Sequence, residues 1–308
     1  MGVKFFEAIN SVLSQSLRDI CRVYRLSEDE AVEKIREYLV KNSREYWSDS
    51  PSLRYDDPLC RMAYLYAYVS AHANLVDNAF YLFPELKRFV LDKMRKEGMI
   101  RVCSFGGGPG SELLGFVKFI EREAKPGDRL DIYFVLIDKV REWDESWHAL
   151  VNGLEQDYEA AYGSSRRDWP VLVHRSFLPL DLTSVEEFKS FPSRFRDVDV
   201  YVLNYTVSEL VAHREEFFKV FALVVERAES PAYFLFIDRN QPEVVEAIQD
   251  CIKCAGLVEC GHTTQNTNMD LDEQKTDLGK WYILMGRNPK LTWNAYFVLA
   301  EVVEPIPF

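Results

Sequence analysis

The chain lacks any apolar run approaching the ~20 residues that cross a bilayer. Its opening segment, MGVKFFEAINSVLSQSLRDI, is interrupted by Glu7 and Asn10 where a signal core needs apolar side chains. That segment reads as an amphipathic helix, and no membrane partner is expected. Lipidation is set aside too, because Phe6 stands where an N-terminal myristoylation pattern has Ser or Thr. Cysteine is sparse, with six in 308 residues. That is too few for a disulfide scaffold, so a reducing compartment, cytoplasmic or nuclear, is expected. Positive charge is in deficit, 37 Lys and Arg against 49 Asp and Glu, for a formal net charge of -12. Phosphate polymers are held chiefly by Lys and Arg that displace counterions, so non-specific nucleic-acid binding is not expected; a local basic groove remains compatible. Internal repeats and low-complexity tracts are missing as well.

What is present is a globular composition, 47% hydrophobic and 14% aromatic, which calls for a compact fold with aromatic-lined surfaces. Hydrophobic periodicity divides it into a helical region 1–98 and an α/β region 99–308. Helices are predicted over Phe5 to Tyr24, Ser27 to Asn42, Pro58 to Phe83 and Pro84 to Glu97. Ser27 followed by Glu28, Asp29 and Glu30 is an N-cap with acidic first-turn residues, which suit the positive end of a helix dipole. Between them the Tyr46–Pro58 segment combines turn formers with Trp47 and two tyrosines. It either anchors a loop or forms a lid.

From Met99 onward, short apolar runs alternate with amphipathic stretches. Met99–Phe105, Leu130–Ile137, Val171–Phe177, Val198–Leu203 and Ala232–Ile237 read as buried strands, which implies a mainly parallel sheet with helices on both faces. A helix over Pro242–Ala255 follows, then strands over Val258–Thr264 and Trp281–Met285 with a polar loop Asn266–Gly279 between them. Trp293–Val303 is β-rich, with no assignable partner.

The first strand runs into Gly106-Gly107-Gly108-Pro109-Gly110 and then into a helix over Ser111–Glu123. Glycines let the backbone turn sharply against a nucleotide-like ligand while the helix N-terminus offers N–H donors. A phosphate-binding P-loop would need Lys where Ser111 stands, and a dinucleotide fingerprint would need a glycine there. The spacing is instead GxGxG, through Gly106, Gly108 and Gly110.

On those residues, VCSFGGGPGSELLGF resembles motif I of the class I S-adenosylmethionine-dependent methyltransferases, over roughly Met99 to Arg287. The resemblance implies a seven-stranded, mostly parallel Rossmann-like methyltransferase sheet with an all-helical N-terminal extension. It also implies S-adenosylmethionine as cofactor, held by Gly106, Gly107, Gly108 and Gly110. In that family an acid at the end of the next strand holds the ribose hydroxyls, and LDIYFVLIDKV supplies Asp138, next to Lys139. A carboxylate suits that role because it accepts from two vicinal hydroxyls; the alternative for Asp138 is a solvated strand end. Asp181 resembles the adenine-side acid or caps the helix near Ser184. Ser104 departs from the family, which has an acid there, and Glu112 is the nearby carboxylate.

In open α/β sheets ligands sit at the carboxyl ends of strands, so Asn204, Tyr205 and Glu209 after the fourth strand are the catalytic candidates. Asn204 would orient acceptor or cofactor, Tyr205 would pack over either and Glu209 would accept a proton; alternatively Ser208 and Glu209 cap the next helix. Asp238, Arg239 and Asn240 form a second wall. Methyl transfer from a sulfonium is an in-line displacement in which alignment dominates and a base matters only for a protonated acceptor. The function expected is methyl transfer to an unidentified acceptor, a protein, an RNA or a small molecule. The alternative is an inactive methyltransferase fold that senses S-adenosylmethionine or scaffolds partners, and a nicotinamide-dependent oxidoreductase is disfavoured by the glycine spacing. Cys251, Cys254, Cys260 and His262 have zinc-ligand chemistry but are read as packing residues, so no metal is expected. Tyr64, Tyr68 and His72 share one helical face and are read as core.

Overall fold

The computed structural model describes residues 4–45, 53–125, 128–269 and 276–303. Five helices come first: α1 (Phe5–Tyr24), α2 (Glu28–Glu45), α3 (Pro58–Tyr64), α4 (Ser70–Leu82) and α5 (Pro84–Lys96). The start of α2 is a reciprocal capping box, with Ser27 N donating to Glu30 Oε2 at 2.8 Å and Glu30 N to Ser27 Oγ at 3.3 Å. The stretch expected as one helix from Pro58 to Phe83 contains a π-helical segment, Leu65–Val69. A π-turn releases a carbonyl from the helical ladder. Here Ala67 O accepts from Lys290 N at 2.8 Å, so the irregularity is fixed by a contact from the far end of the chain.

The α/β part runs β1 (Met99–Phe105), α6 (Ser111–Glu123), β2 (Leu130–Ile137), α7 (Trp143–Tyr162), β3 (Val171–Leu178), α8 (Val185–Lys189) and β4 (Val200–Asn204). It continues α9 (Val207–Leu210), α10 (Arg214–Arg227), β5 (Tyr233–Arg239), α11 (Pro242–Cys254), β6 (Val258–Asn268), α12 (Lys280–Met285) and β7 (Thr292–Glu301). The sheet order is β3-β2-β1-β4-β5-β7-β6. β1 to β5 are parallel, and β7 is antiparallel between β5 and β6. This is the seven-stranded Rossmann-like methyltransferase sheet that the glycine loop implied. The chain moves outward from β1 to β3 and returns at β4, which opens a crevice between the carboxyl ends of β1 and β4.

Two tail expectations are corrected. Trp281–Met285 is the helix α12, not a strand: Trp281 and Met285, four apart, are buried while Ile283 between them is 78% exposed. A short apolar run does not distinguish a strand from a buried helical turn by periodicity, and here Trp281 Nε1 reaches Ser14 Oγ on α1 at 3.2 Å. The polar stretch from Asn266 to Asn268 is strand rather than loop, because β6 is an outer strand paired only with β7 and its polar side chains face water. The pairing of the last β-rich stretch is now assigned, with Arg239 opposite Ala295 and Thr267 opposite Trp293.

The helical extension and one face of the sheet share a single core, in which Phe5, Ile9, Leu13 and Phe80 join Ile100, Val102 and Leu136. A second core under α10 and α11 covers the other face. Contact between the first core's halves is closest where α4 crosses α6. Phe80 stacks on Phe119 with centroids 3.8 Å apart, and a Cβ at Gly115 would stand 2.6 Å from Ala73 O and 2.7 Å from Val76 Cβ. Among the described residues no helix is long and apolar enough to cross a membrane.

Gly115→Ala therefore sets two effects against each other. Alanine is the better helix former by ~1 kcal/mol, but the added methyl meets a backbone carbonyl that cannot swing aside. The steric effect is expected to win, with a net loss of about 1–3 kcal/mol in urea denaturation. A stabilised variant would show that α4 is loosely docked.

Candidate functional site

The crevice is floored by the glycine loop. Gly106 N and Gly107 N both point to Ile137 O, at 2.8 and 3.3 Å, which ties the loop to the end of β2. Gly110 closes the turn with φ of 83°, and a Cβ there would lie 2.3 Å from the Trp147 ring. No L side chain fits that conformation and that space together.

Asp138 follows β2 directly. Its Oδ2 accepts from Gly108 N at 3.0 Å and its Oδ1 from Val140 N at 2.9 Å. Burial outweighs these two bonds and pushes its carboxyl up to about 6. Lys139 is exposed at the rim. Asp181 does not cap α8, whose N-cap is Ser184. Its Oδ1 instead takes the Thr183 amide at 2.9 Å and hydroxyl at 2.7 Å, and its negative charge is felt at Asp138.

On the β4 side, Asn204 is buried, and its Nδ2 donates to Glu112 Oε1 at 3.0 Å and to His72 O at 3.4 Å. Glu112 lies in the first turn of α6 at 1% exposure, with Ser111 Oγ also donating to Oε1 at 3.0 Å. Burial dominates its hydrogen bonds and pushes the carboxyl up to about 7. Glu112 Oε2, Asn204 Oδ1 and Ser104 Oγ are buried with no partner at hydrogen-bond distance. Ser104 nevertheless lies close enough to the Glu112 carboxyl to favour its ionised form. Two acceptor oxygens, Glu112 Oε2 and Asn204 Oδ1, thus meet beside the Ser104 hydroxyl where β1, β4 and α6 converge, and this combination asks for a donor-rich cation.

Tyr205 carries φ of 59°, a left-handed conformation that is costly for a bulky side chain and is held where the surroundings over-determine it. Its amide donates to Ile237 O at 2.7 Å, its ring stacks on His72 with centroids 4.8 Å apart, and it is 5% exposed. Glu209 is solvent-exposed, yet burial is the largest cause of its carboxyl being pushed up to about 7, with Asp138 and Asp238 adding repulsion. Both facts hold for a side chain standing in a recess, reachable by water but surrounded by protein. Ser208 and Glu209 do not cap a helix, since both lie inside α9, whose N-cap is Thr206, and α10 is capped by His213; the Ser208 amide donates to Asp238 Oδ2 at 2.9 Å.

An aromatic wall completes the recess, and its central residue was not singled out in the sequence. Trp143 opens α7, is 2% exposed and lies against Gly108. Tyr55 and Tyr64 pack on it at centroid distances of 5.0 and 5.4 Å. The only signal for Trp143 was its position five residues beyond Asp138. Tyr64, Tyr68 and His72 do share a face and are packed in the core as expected, and Tyr64 also lies within range of the Glu209, Glu112 and Asp138 charges. Residues 46–52 of the Tyr46–Pro58 segment lie outside the described residues. Cys251 is buried, Cys254 is exposed and Cys260 is half-buried, and among the described residues no three metal-ligating side chains converge.

No protein-family model matches the chain, and no curated protein matches it by sequence. Solved structures do resemble it. An N-methyltransferase from Bradyrhizobium japonicum, crystallised with S-adenosyl-L-homocysteine, is 12% identical with a TM-score of 0.40, covering 87% of this chain and 99% of that one. An O-methyltransferase family protein from Burkholderia thailandensis is 14% identical with a TM-score of 0.41, covering 88% and 71%. A precorrin-6y C5,15-methyltransferase from Geobacter metallireducens is 10% identical with a TM-score of 0.35, covering 70% and 87%. At these identities the likeness is one of fold alone.

Glu112 yields a stability prediction whose sign is fixed by its raised pKa. An acid at 4.5 when unfolded and about 7 when folded favours the folded state most below pH 4.5, and that contribution is lost as pH rises to about 7. At ~1.4 kcal/mol per pH unit the loss is roughly 3 kcal/mol. Glu112→Gln keeps an acceptor for Asn204 and removes the charge. The variant is expected to match the parent at pH 5 and to exceed its stability by about 2 kcal/mol at pH 8. Identical pH profiles in guanidinium denaturation would show that the carboxyl is not desolvated.

Proposed function

We propose that this chain is an S-adenosylmethionine-dependent methyltransferase that binds its methyl donor in the crevice between β1 and β4. The observation that carries the reading is the pair of buried, unpaired acceptor oxygens, Glu112 Oε2 and Asn204 Oδ1, beside a glycine loop held by Asp138. An ammonium needs such acceptors. Asp138 keeps free lone pairs on both oxygens for ribose hydroxyls. Asp181, whose charge is felt at Asp138, and the neighbouring Lys139 are the candidates for the adenine side.

Electrostatics point the same way. Glu112, Asp138, Glu209 and Asp238 all face the recess, and each is pushed upward chiefly by burial. A cationic sulfonium is favoured there, whereas the pyrophosphate of a dinucleotide would meet Glu112 at the helix N-terminus it needs. Once bound, the donor supplies a methyl group on positively charged sulfur. The protein's task is alignment, by Asn204 and the fixed Tyr205, with proton acceptance by Glu209 at about neutral pH where the acceptor is protonated.

A second reading, donor binding without turnover, is favoured by one observation: Asn204 and Tyr205 are sealed beneath His72 and Trp293. Labelled-methyl transfer into fractionated protein, RNA and metabolites separates the two. Calorimetry is expected to detect S-adenosylmethionine and S-adenosylhomocysteine; tight binding of NAD alone overturns both readings.

Two variants then divide the ligand. Asp138→Ala is expected to weaken S-adenosylhomocysteine by about 1–3 kcal/mol, and the parent's affinity to fall as pH drops below about 6. Glu112→Gln is expected to weaken S-adenosylhomocysteine about tenfold while leaving 5′-methylthioadenosine, which lacks the amino-acid arm, unchanged. Equal loss for both compounds would remove Glu112 from the ammonium site.

A further inference from the structure

On the far side of the Tyr205–His72 stack the polarity reverses. β7 is antiparallel, so its first residues lie at the carboxyl edge of β5: Ala295 pairs with Arg239, and Trp293 stands just beyond it. Lys290 Nζ lies 4.0 Å from the centroid of the Trp293 ring and 5.7 Å from that of Tyr205. His72 packs on Trp293 with centroids 5.3 Å apart. Trp293 Nε1 and His72 Nε2 are buried with no partner at hydrogen-bond distance. His72 Nδ1 is 3.3 Å from Tyr64 Oη; with the phenol donating there, Nε2 carries the ring proton. The buried groups without a partner at this end are then an indole N–H and an imidazole N–H, with the Lys290 ammonium over the indole and the Arg239 guanidinium between them and the Glu209 and Asp238 carboxyls.

We propose that the methyl acceptor is a small molecule bearing an oxyanion, a carboxylate or a phosphate, received by Lys290, Arg239, Trp293 Nε1 and His72 Nε2. This rests on the methyl-donor reading for the ligand's role, not for its chemistry. Charge-assisted bonds from two cations suit an oxyanion, and the two buried N–H groups gain the partners they otherwise lack. Size follows from burial. Tyr68, His72, Tyr205 and Trp293 are each under 8% exposed, while Lys290 and Arg239 are half-buried at the mouth. Groups buried this deeply are within reach of a compact anionic group and not of a folded polymer. Burial, followed by the repulsion of Arg239, lowers Lys290 to about 8, and burial, followed by Lys290 and Arg239, keeps His72 neutral.

The test is calorimetric titration of inorganic phosphate and of benzoate into the protein, with and without saturating S-adenosylhomocysteine, at low ionic strength. One of the two anions is expected to saturate with a Kd of about 1 mM or tighter, and which one does so separates phosphate from carboxylate. Lys290→Gln and Arg239→Gln are each expected to weaken it about tenfold, and Lys290→Arg to retain it. Thermal midpoints report whether each variant folds, and the unmodified protein decides if one does not. No saturation by either anion, or undiminished binding in both folded Gln variants, overturns the proposal. Failure of the unmodified protein to bind S-adenosylhomocysteine overturns the methyl-donor reading instead, and the titrations without that compound still decide this one.

Discussion

A carboxyl group taken almost wholly out of water holds three parts of this fold together. Glu112 begins α6, its partner Asn204 ends β4, and Asn204 also reaches the carbonyl of His72 on α4. That reach is possible only because α4 lies against α6 at Gly115, which is three residues from Glu112 on the same helical face. The docking of the N-terminal helices and the geometry of the crevice are therefore one constraint. A buried acid without a cationic partner costs stability and shifts its pKa to reduce the cost. An apolar side chain would fill the same volume at no such cost. An acid kept there with one oxygen unpaired gives up stability, a sacrifice characteristic of sites that face a ligand.

Tyr205 divides the space around that acid. Its left-handed backbone turns the ring onto His72 instead of along the strand, so the crevice has acceptors on the β1 and α6 side and donors on the β7 side. Neither half is complete from one region of the chain. The acceptor half draws on Ser104, Glu112 and Asn204, and the donor half on His72, Arg239, Lys290 and Trp293. The antiparallel insertion of β7 is what carries Lys290 and Trp293 to the carboxyl edge, since a parallel last strand would begin at the opposite edge.

How much of this was legible in sequence follows from how local each signal is. The glycine loop and Asp138 were readable because strand, turn and helix follow one another within a few dozen residues, and the capping box at Ser27 and Glu30 needs only four. Alternating apolar runs gave the parallel strands for the same reason. α12 was misread because Trp281 owes its burial to α1, which no local pattern records, and the π-helical segment exists because Lys290 takes a carbonyl more than two hundred residues earlier. Trp143, Lys290 and Trp293 each look like ordinary core or surface residues until topology brings them to the crevice. Asn204 and Tyr205 were named from strand position alone, which locates a backbone and leaves open whether the side chain faces a ligand or, as with Tyr205, a neighbouring ring.

The sign of the crevice has a consequence for the relative affinity of donor and product if the donor is a sulfonium. Transfer removes the positive charge from sulfur, so the spent donor is neutral at the atom that faced the acidic recess. A single carboxylate at a typical ~6 Å, with an effective dielectric of ~20–40, distinguishes the two by about 1–3 kcal/mol. The acids pushed toward neutrality by burial contribute only while ionised, and Glu209 and Glu112 approach that limit near pH 7. Preference for the charged donor over its spent form should therefore grow between pH 6 and pH 8, as those carboxyls lose their protons, and the ratio of the two dissociation constants measures it directly. A ratio independent of pH would mean that the unpaired acceptors read only the amino-acid arm, which both compounds share, and that the remaining acids lie too far from the sulfur to sense its charge.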